Sequence, residues 1–460
     1  MPLSKSITAK SSTFLKSVLL LALPVALQML LQSLLGMADV VMVGDLGPEA
    51  LAAVGLAAKL HFLLLVMMSG IAAGGSVLIA QYSGSKNSEG CRNTLSVTLA
   101  VGVAVIMPLV AAFAIAPQVW VNWINPDPIV VAIAAEYIQI TALVLLLTQI
   151  AVIYEASLRA LGNTTVPLIG GAVSVLVNIA LNYALIFGHW GFPAMGVAGA
   201  AWATLIARAA HMILVVGWVY ATRHSFALGL GDICARVDWP KVRRYIVFAL
   251  PLVANYTLWG VGNATYHVLT GFAGTEALAI MGVIVPIESL FFALFIGLAN
   301  ASAVLVGRAL GGDNHDEAWR LYRFFDQLTI GLVVSGCLIL WLIRPWVIAI
   351  FDQLDPAAEA LLADVLAVFS LLIWVKVLNM MRIMGVLRAG GDNKFCLAVD
   401  ISAMWLVGIP LYAAGVFFTA VPFAAIFALM YLEEALKFIP VVMRIRKRYW
   451  IKNLVKADAK

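Results

Sequence analysis

The stretch Gly47-Pro48-Glu49-Ala50-Leu51-Ala52-Ala53-Val54-Gly55 returns 227 residues later as Gly274-Thr275-Glu276-Ala277-Leu278-Ala279-Ile280-Met281-Gly282. Extended outward without a gap, residues 21–84 lie on 248–311 with 18 identities in 64, among them Pro24 on Pro251, Gly70 on Gly297 and Gly84 on Gly311. Further on, the offset grows to 228 (Pro128 on Pro356, Glu136 on Asp364). It reaches 229 where Leu158-Arg159-Ala160 meets Leu387-Arg388-Ala389 and Gly162 meets Gly391. The chain is a tandem repeat. Two similar halves with a cleft between them is a common layout of secondary transporters, whose moving parts are often internal repeats.

The repeat is written in membrane residues. Of 460 residues, 63% are hydrophobic and 12% charged, with a mean hydropathy of +1.00. A soluble domain carries about twice that charged fraction. Apolar runs of about 20 residues recur, each long enough to cross a ~30 Å hydrocarbon core as a helix. They are apolar on every face, unlike the alternating strands of a membrane barrel. The interruptions predict twelve helices, at 15–43, 51–83, 92–116, 129–157, 165–188, 196–221, 242–271, 276–307, 321–344, 358–387, 394–417 and 420–443. The first apolar run, from Val18 to about Val43, is too long for a secretory signal core and reads as a retained helix.

Charge tests the count. With the N-terminus inside, the inner segments, from Lys5, Lys10 and Lys16 to Lys460, hold 23 of the 29 Lys and Arg, and the outer loops hold Arg344. This asymmetry follows the positive-inside rule and places both termini in the cytoplasm. Six crossings per half is an even number, so the two six-helix lobes should be related by a pseudo-two-fold along the membrane normal. The polar connection 222–241 separates them, giving expected lobes 1–230 and 231–460. Topology and anionic lipid account for the net charge of +5, and nothing suggests nucleic acid binding. The four cysteines are scattered, without metal or disulfide spacing.

Several motifs together resemble the multidrug and toxic compound extrusion (MATE) family. They are Leu21-Ala22-Leu23-Pro24, Met37 through Gly44, Leu158-Arg159-Ala160-Leu161-Gly162-Asn163-Thr164, Asn178 with Asn182, and Gly196 through Thr204. The resemblance covers nearly the whole chain. It implies an antiporter in the cytoplasmic (inner) membrane, driven by protons or sodium, that expels amphipathic and often cationic compounds. No cofactor beyond the coupling ion is expected, and the expected state is a monomer in the bilayer.

Asp39 is the sharpest candidate for the coupling carboxylate. It lies 15 residues beyond Pro24, roughly 22 Å along the helix, hence in the outer half of the membrane. Its repeat counterpart is Tyr266. An ionisable group inside the bilayer costs ~2.5–3.5 kcal/mol on insertion scales and usually serves function. Removal from water favours the uncharged form of a carboxylic acid, the property a proton carrier uses. The competing reading is an Asp near a helix end reaching the interface.

Asn178 and Asn182 share one helix face, Thr204 lies on the next helix, and Gln32 sits seven before Asp39. Resemblance to the family implies a polar cation or proton site at these positions, with sodium possible at Asp39 and no other metal. Taken alone, such residues are most often hydrogen-bonding glue between helices. Some relatives carry a second carboxylate where Asn182 stands. Certain relatives also bind sodium through carboxylates in helices 7 and 10, where this chain reads Asn255-Tyr256-Thr257 and Val375-Lys376-Val377 without an acid. In the second half Glu288, Lys376, Arg382 and Tyr266 are candidates for a polar or substrate-lining set, Glu288 pairing with either cation. Glu155 and Arg159, four apart, read as a local pair, and Glu433, Glu434 and Lys437 suit a helix facing other helices or the inner interface. Pro24 and Pro251 lie inside helices 1 and 7, as static kinks or, at Pro24, as a hinge.

A unit charge moving inward down 100 mV supplies ~2.3 kcal/mol, enough to drive export, and no P-loop signature appears. A lipid-linked oligosaccharide flippase of similar architecture would line its cleft with cations, for which Lys376 and Arg382 speak. A membrane enzyme would need clustered His, Asp or Cys, and the six histidines are dispersed. The expectation is therefore a transporter, not an enzyme.

Overall fold

A computed structural model describes residues 12–124, 126–351, 355–419 and 421–456. Lys5, Lys10 and Lys460 lie outside them. The described residues are helical throughout, without strands: α1 (Ser12–Gly44), α2 (Pro48–Gly84), α3 (Ser88–Ile115), α4 (Pro117–Asn122), α5 (Pro128–Ala160), α6 (Thr165–Phe187), α7 (Gly196–Ala221) and α8 (Leu230–Arg236). The repeat continues with α9 (Trp239–Phe272), α10 (Thr275–Gly311), α11 (His315–Ala349), α12 (Pro356–Arg382), α13 (Asn393–Ala403), α14 (Ile409–Phe418) and α15 (Phe423–Arg446). Two π-helical turns, Ile383–Leu387 and Met404–Gly408, continue α12 and join α13 to α14. The short α4 and α8 are additions to the expected twelve. Among the described residues eleven helices are long and apolar enough to cross a membrane, and α15 is the twelfth, its 24 residues interrupted by buried Glu433, Glu434 and Lys437.

The helix starts explain why the repeat kept certain residues. Gly47 and Gly274, at φ 111° and 119°, precede α2 and α10 in a backbone region that favours glycine. Asn87 accepts a hydrogen bond from the Gly90 amide at the start of α3, and its counterpart Asn314 accepts from Glu317 at the start of α11. Asp127 and Asp355 cap α5 and α12 in the same way. A side-chain cap contributes about 1 kcal/mol, and here each cap sits at a repeat-equivalent position.

Packing divides the chain into two compact units, one of Leu27–Thr257 and one of the residues up to Ala26 together with those from Leu258 onward. Phe14, Val18 and Leu21, in the first half of α1, pack in a core with Leu298, Phe325 and Ile445. Tyr245 and Ala249, in the first half of α9, pack with Ile71 and Val97. The boundaries fall two residues past Pro24 and six past Pro251, and the apolar faces of α1 and α9 change partners within the helix. Inside the first unit α5 packs on α2, α3 and α7, and α6 packs on α7. In the second, α12 packs on α10, α11 and α15, with α13 and α14 against α15.

Candidate functional site

Four of the candidate residues meet in the first unit. Asn182 Nδ2 donates to Asp39 Oδ1 at 2.6 Å and to Asn178 Oδ1 at 3.0 Å. Asn178 Nδ2 donates to Thr204 Oγ1 at 3.3 Å, and Thr204 Oγ1 donates to the Ala200 carbonyl at 2.9 Å. The i,i+4 spacing on α6 aims both amides one way, and α1 and α7 bring the carboxylate and the hydroxyl. Asn178 and Asn182 are 2% and 1% exposed, whereas Asp39 and Thr204 are half-buried. Asn182 Oδ1 has no donor partner among the described residues. Gln32 is half-buried on α1 and joins none of these bonds.

Sequence reasoning missed four neighbours. Tyr137 of α5 is buried and hydrogen-bonds the Thr204 side chain. Arg208 lies within electrostatic range of Asp39, Tyr137 and Glu155. His211 places Nε2 2.8 Å from Glu155 Oε1, while Gln28 Nε2 donates to the same oxygen at 2.9 Å. Arg159 reaches the other carboxylate oxygen at 3.5 Å and Gln28 Oε1 at 3.3 Å. Glu155 is thus a buried hub with partners on α1, α5 and α7, more than the local pair expected. The available signal was spacing: Thr204, Arg208 and His211 lie at i, i+4 and i+7 on one face of α7, and a lone Arg in an apolar span needs a partner.

In the second unit Lys376 Nζ donates to Glu288 Oε1 at 2.6 Å and sits 5.1 Å from the Phe292 ring centroid. Arg382 does not share that pair. Its Nε and Nη2 donate to Asp326 of α11 at 2.7 and 3.3 Å, and its guanidinium stacks on Phe438. Tyr266 Oη donates to Glu433 Oε2 at 2.8 Å. Tyr266, Glu288, Lys376 and Glu433 line one cavity with Trp259 and Phe427. Lys437 lies 2.8 Å from Glu434 and 3.5 Å from Asp400. Among the described residues no group of three or more His, Cys, Asp or Glu is placed to hold a metal.

A helical bundle of membrane-crossing length, repeated in tandem and holding buried ionisable sets in both halves, defines a multi-pass membrane transporter. The MatE family model matches residues 24–184 and 251–413, and the chain belongs to that family. Among curated relatives, the "Probable multidrug resistance protein NorM" of Agrobacterium fabrum is 26% identical over 407 residues, 86% of each chain. The "Multidrug resistance protein PmpM" of Pseudomonas aeruginosa is 25% identical over 432 residues, 90% of this chain and 86% of that one. Among solved structures, a MATE protein in the bent conformation superposes with a TM-score of 0.85 over 97% of each chain at 20% identity. A transporter of the MOP superfamily from Pyrococcus furiosus gives 0.84 over 94% of this chain and 95% of that one at 19% identity. These superpositions establish the fold, all-α and integral to the membrane with twelve crossings, and the family makes the chain a transporter, not an enzyme.

Proposed function

We propose that the protein is a proton-coupled exporter of amphipathic, often cationic, small molecules, and that Asp39 is its coupling carboxylate. The observation that carries this reading is the bond from Asn182 Nδ2 to Asp39 Oδ1 at 2.6 Å, within a set of neutral amide and hydroxyl side chains. A carboxylate held by an amide N–H is ready to exchange a proton, and no cation is bonded directly to it among the described residues. A proton arriving from outside neutralises Asp39, and substrate is released. Asn178 and Thr204 position Asn182, and Arg208 adds a fixed positive field that opposes a second cation. The names of the relatives support multidrug substrates.

Sodium is the alternative coupling ion. It would need oxygen ligands around Asp39, and Asn182 presents nitrogen there. Turning that amide over would offer its unpartnered Oδ1 instead. The flippase reading loses its support, because Lys376 and Arg382 are neutralised by Glu288 and Asp326. The protein acts as a monomer in the cytoplasmic membrane with both termini inside.

The test is efflux of a fluorescent cationic dye from proteoliposomes under an imposed pH or Na⁺ gradient. Wild type should respond to the pH gradient, and Asp39→Asn should lose that response by at least about tenfold while still binding dye. A response of the wild type to Na⁺ alone would establish the alternative, and unchanged efflux in Asp39→Asn would remove Asp39 from the mechanism.

A further inference from the structure

The second half has no carboxylate at the Asp39 position, yet an acid reappears on another helix. Tyr266 stands 227 residues after Asp39, the offset that aligns the first two helices of each half. Thr204 and Glu433 are 229 apart, the offset that aligns Leu158-Arg159-Ala160 with Leu387-Arg388-Ala389, and Arg208 and Lys437 are also 229 apart. In the first unit the acid is on α1 and the hydroxyl on α7. In the second the hydroxyl is on α9 and the acid on α15. The two groups have changed helices, and the cation four residues along the last helix has stayed.

The exchanged pair is in contact. Tyr266 Oη donates to Glu433 Oε2 at 2.8 Å, and the two residues are each 4% exposed. The π-turn Met404–Gly408 closes on this pair, with Gly408 so near that a Cβ there would collide with the Tyr266 hydroxyl and the Glu433 carboxylate. At offset 229 the turn corresponds to residues 175–179, which include Asn178. Single π-turns inside α-helices recur at functional sites, and this one has no counterpart in α6.

The surrounding charges leave one carboxylate to be neutralised. Tyr266 on α9, Glu288 on α10, Lys376 on α12, Asp400 on α13, Tyr412 on α14 and, along α15 itself, Tyr431, Glu434 and Lys437 surround Glu433. Glu288 pairs with Lys376 at 2.6 Å, Glu434 with Lys437 at 2.8 Å, and Asp400 lies between Lys437 at 3.5 Å and Arg388 at 3.9 Å. Lys437 is 3.9 Å from Glu433, which makes the neutral phenol of Tyr266 its closest polar partner. Among the described residues of this set, four carboxylates stand beside three cations, Lys376, Lys437 and, through Asp400, Arg388. Within a membrane a surplus buried charge is costly, and one proton on Glu433 balances the set.

We propose that Glu433, positioned by Tyr266, binds and releases a second proton in each transport cycle, in the unit that lacks an Asp39. This rests on the proton-coupled reading above and adds the stoichiometry. The proton comes from water reaching the cavity and bonds to a Glu433 oxygen. It returns to water when substrate binds, with no covalent change elsewhere.

Infrared difference spectra of the full-length protein in lipid, recorded between acidic and alkaline pH, report protonated carboxyl groups directly through their C=O stretch. Two such bands are expected in wild type, one lost in Asp39→Asn and the other in Glu433→Gln. Tyr266→Phe should shift the Glu433 band in frequency, because the phenol bond is gone, an effect that packing alone would not produce. The ratio of protons to dye transported should fall from two to one in Glu433→Gln. Persistence of both bands in Glu433→Gln, or an unmoved band in Tyr266→Phe, overturns the proposal. Loss of the Asp39 band alone from the wild-type spectrum would remove the coupling role of Asp39 and leave Glu433 standing. Should Glu433→Gln fail to fold, Tyr266→Phe and Glu433→Asp give the same decision.

Discussion

Asn182 holds Asp39 through one N–H···O bond of 2.6 Å, and a hydrogen bond to a charged group is worth about 1.5–3 kcal/mol. That bond favours the ionised acid. Asn182→Leu removes it, and the pH profile of dye efflux should move away from its wild-type position, a tenfold change in proton affinity corresponding to ~1.4 kcal/mol. A profile that stays in place would show that the amide does not act on Asp39. Glu155 makes a different kind of prediction. It serves His211, Gln28 and Arg159 at once and is 4% exposed. Removing one partner of a buried charge set costs about 3–5 kcal/mol, so Glu155→Ala should markedly lower the thermal stability of the detergent-solubilised protein. Glu155→Gln keeps the volume and part of the bonding and should lose less. Equal melting temperatures for Glu155→Ala and wild type would show the hub to be structurally idle.

At the scale of elements, α1 shows how a helix can be continuous and yet change partners. Its core residues Val18 and Leu21 pack with the second half of the sequence, whereas Gln28 and Asp39 bond within the first. The change falls just past Pro24, which has no N–H for the helix ladder and costs a helix interior about 3 kcal/mol. Pro24→Ala should raise thermal stability and slow efflux while leaving dye binding intact, the result expected if the bend is used in the cycle. Unchanged efflux would make Pro24 a static kink. The helices themselves were legible, because apolar runs bounded by Gly, Asn, Asp and Pro leave few alternatives, and the repeat marked the equivalent caps. The change of partner was not legible, since a hydropathy pattern says that a face is buried and not against what. The same limit separates the site residues. Asn178, Asn182 and Thr204 could be read because spacing puts them on the right faces. The partners of Arg208, Arg382 and Glu433 could not, because choosing among distant charges requires the fold. The π-turns left no sequence signature beyond Gly385 and Gly408.

At the scale of the molecule, the sidedness inferred from Lys and Arg can be tested with a cysteine the chain already carries. Cys234 lies in α8, within the 222–241 connection, and is exposed, whereas Cys91 and Cys396 are buried and Cys337 is half-buried in the membrane-length helix α11. The connection also holds Arg236 and Lys241, with Arg243 and Arg244 just beyond, and a cluster of that kind is held on the cytoplasmic face. A maleimide that cannot cross membranes should therefore leave the protein unlabelled when added to intact cells and label it in inside-out vesicles. Cys234→Ser should abolish that labelling without affecting efflux, since α8 contributes nothing to the Asp39 set. Labelling from the outside would invert the topology. It would also put Asp39 at the inner end of its helix, where an external proton could not reach it first, so one thiol decides whether the direction of the proposed cycle can stand.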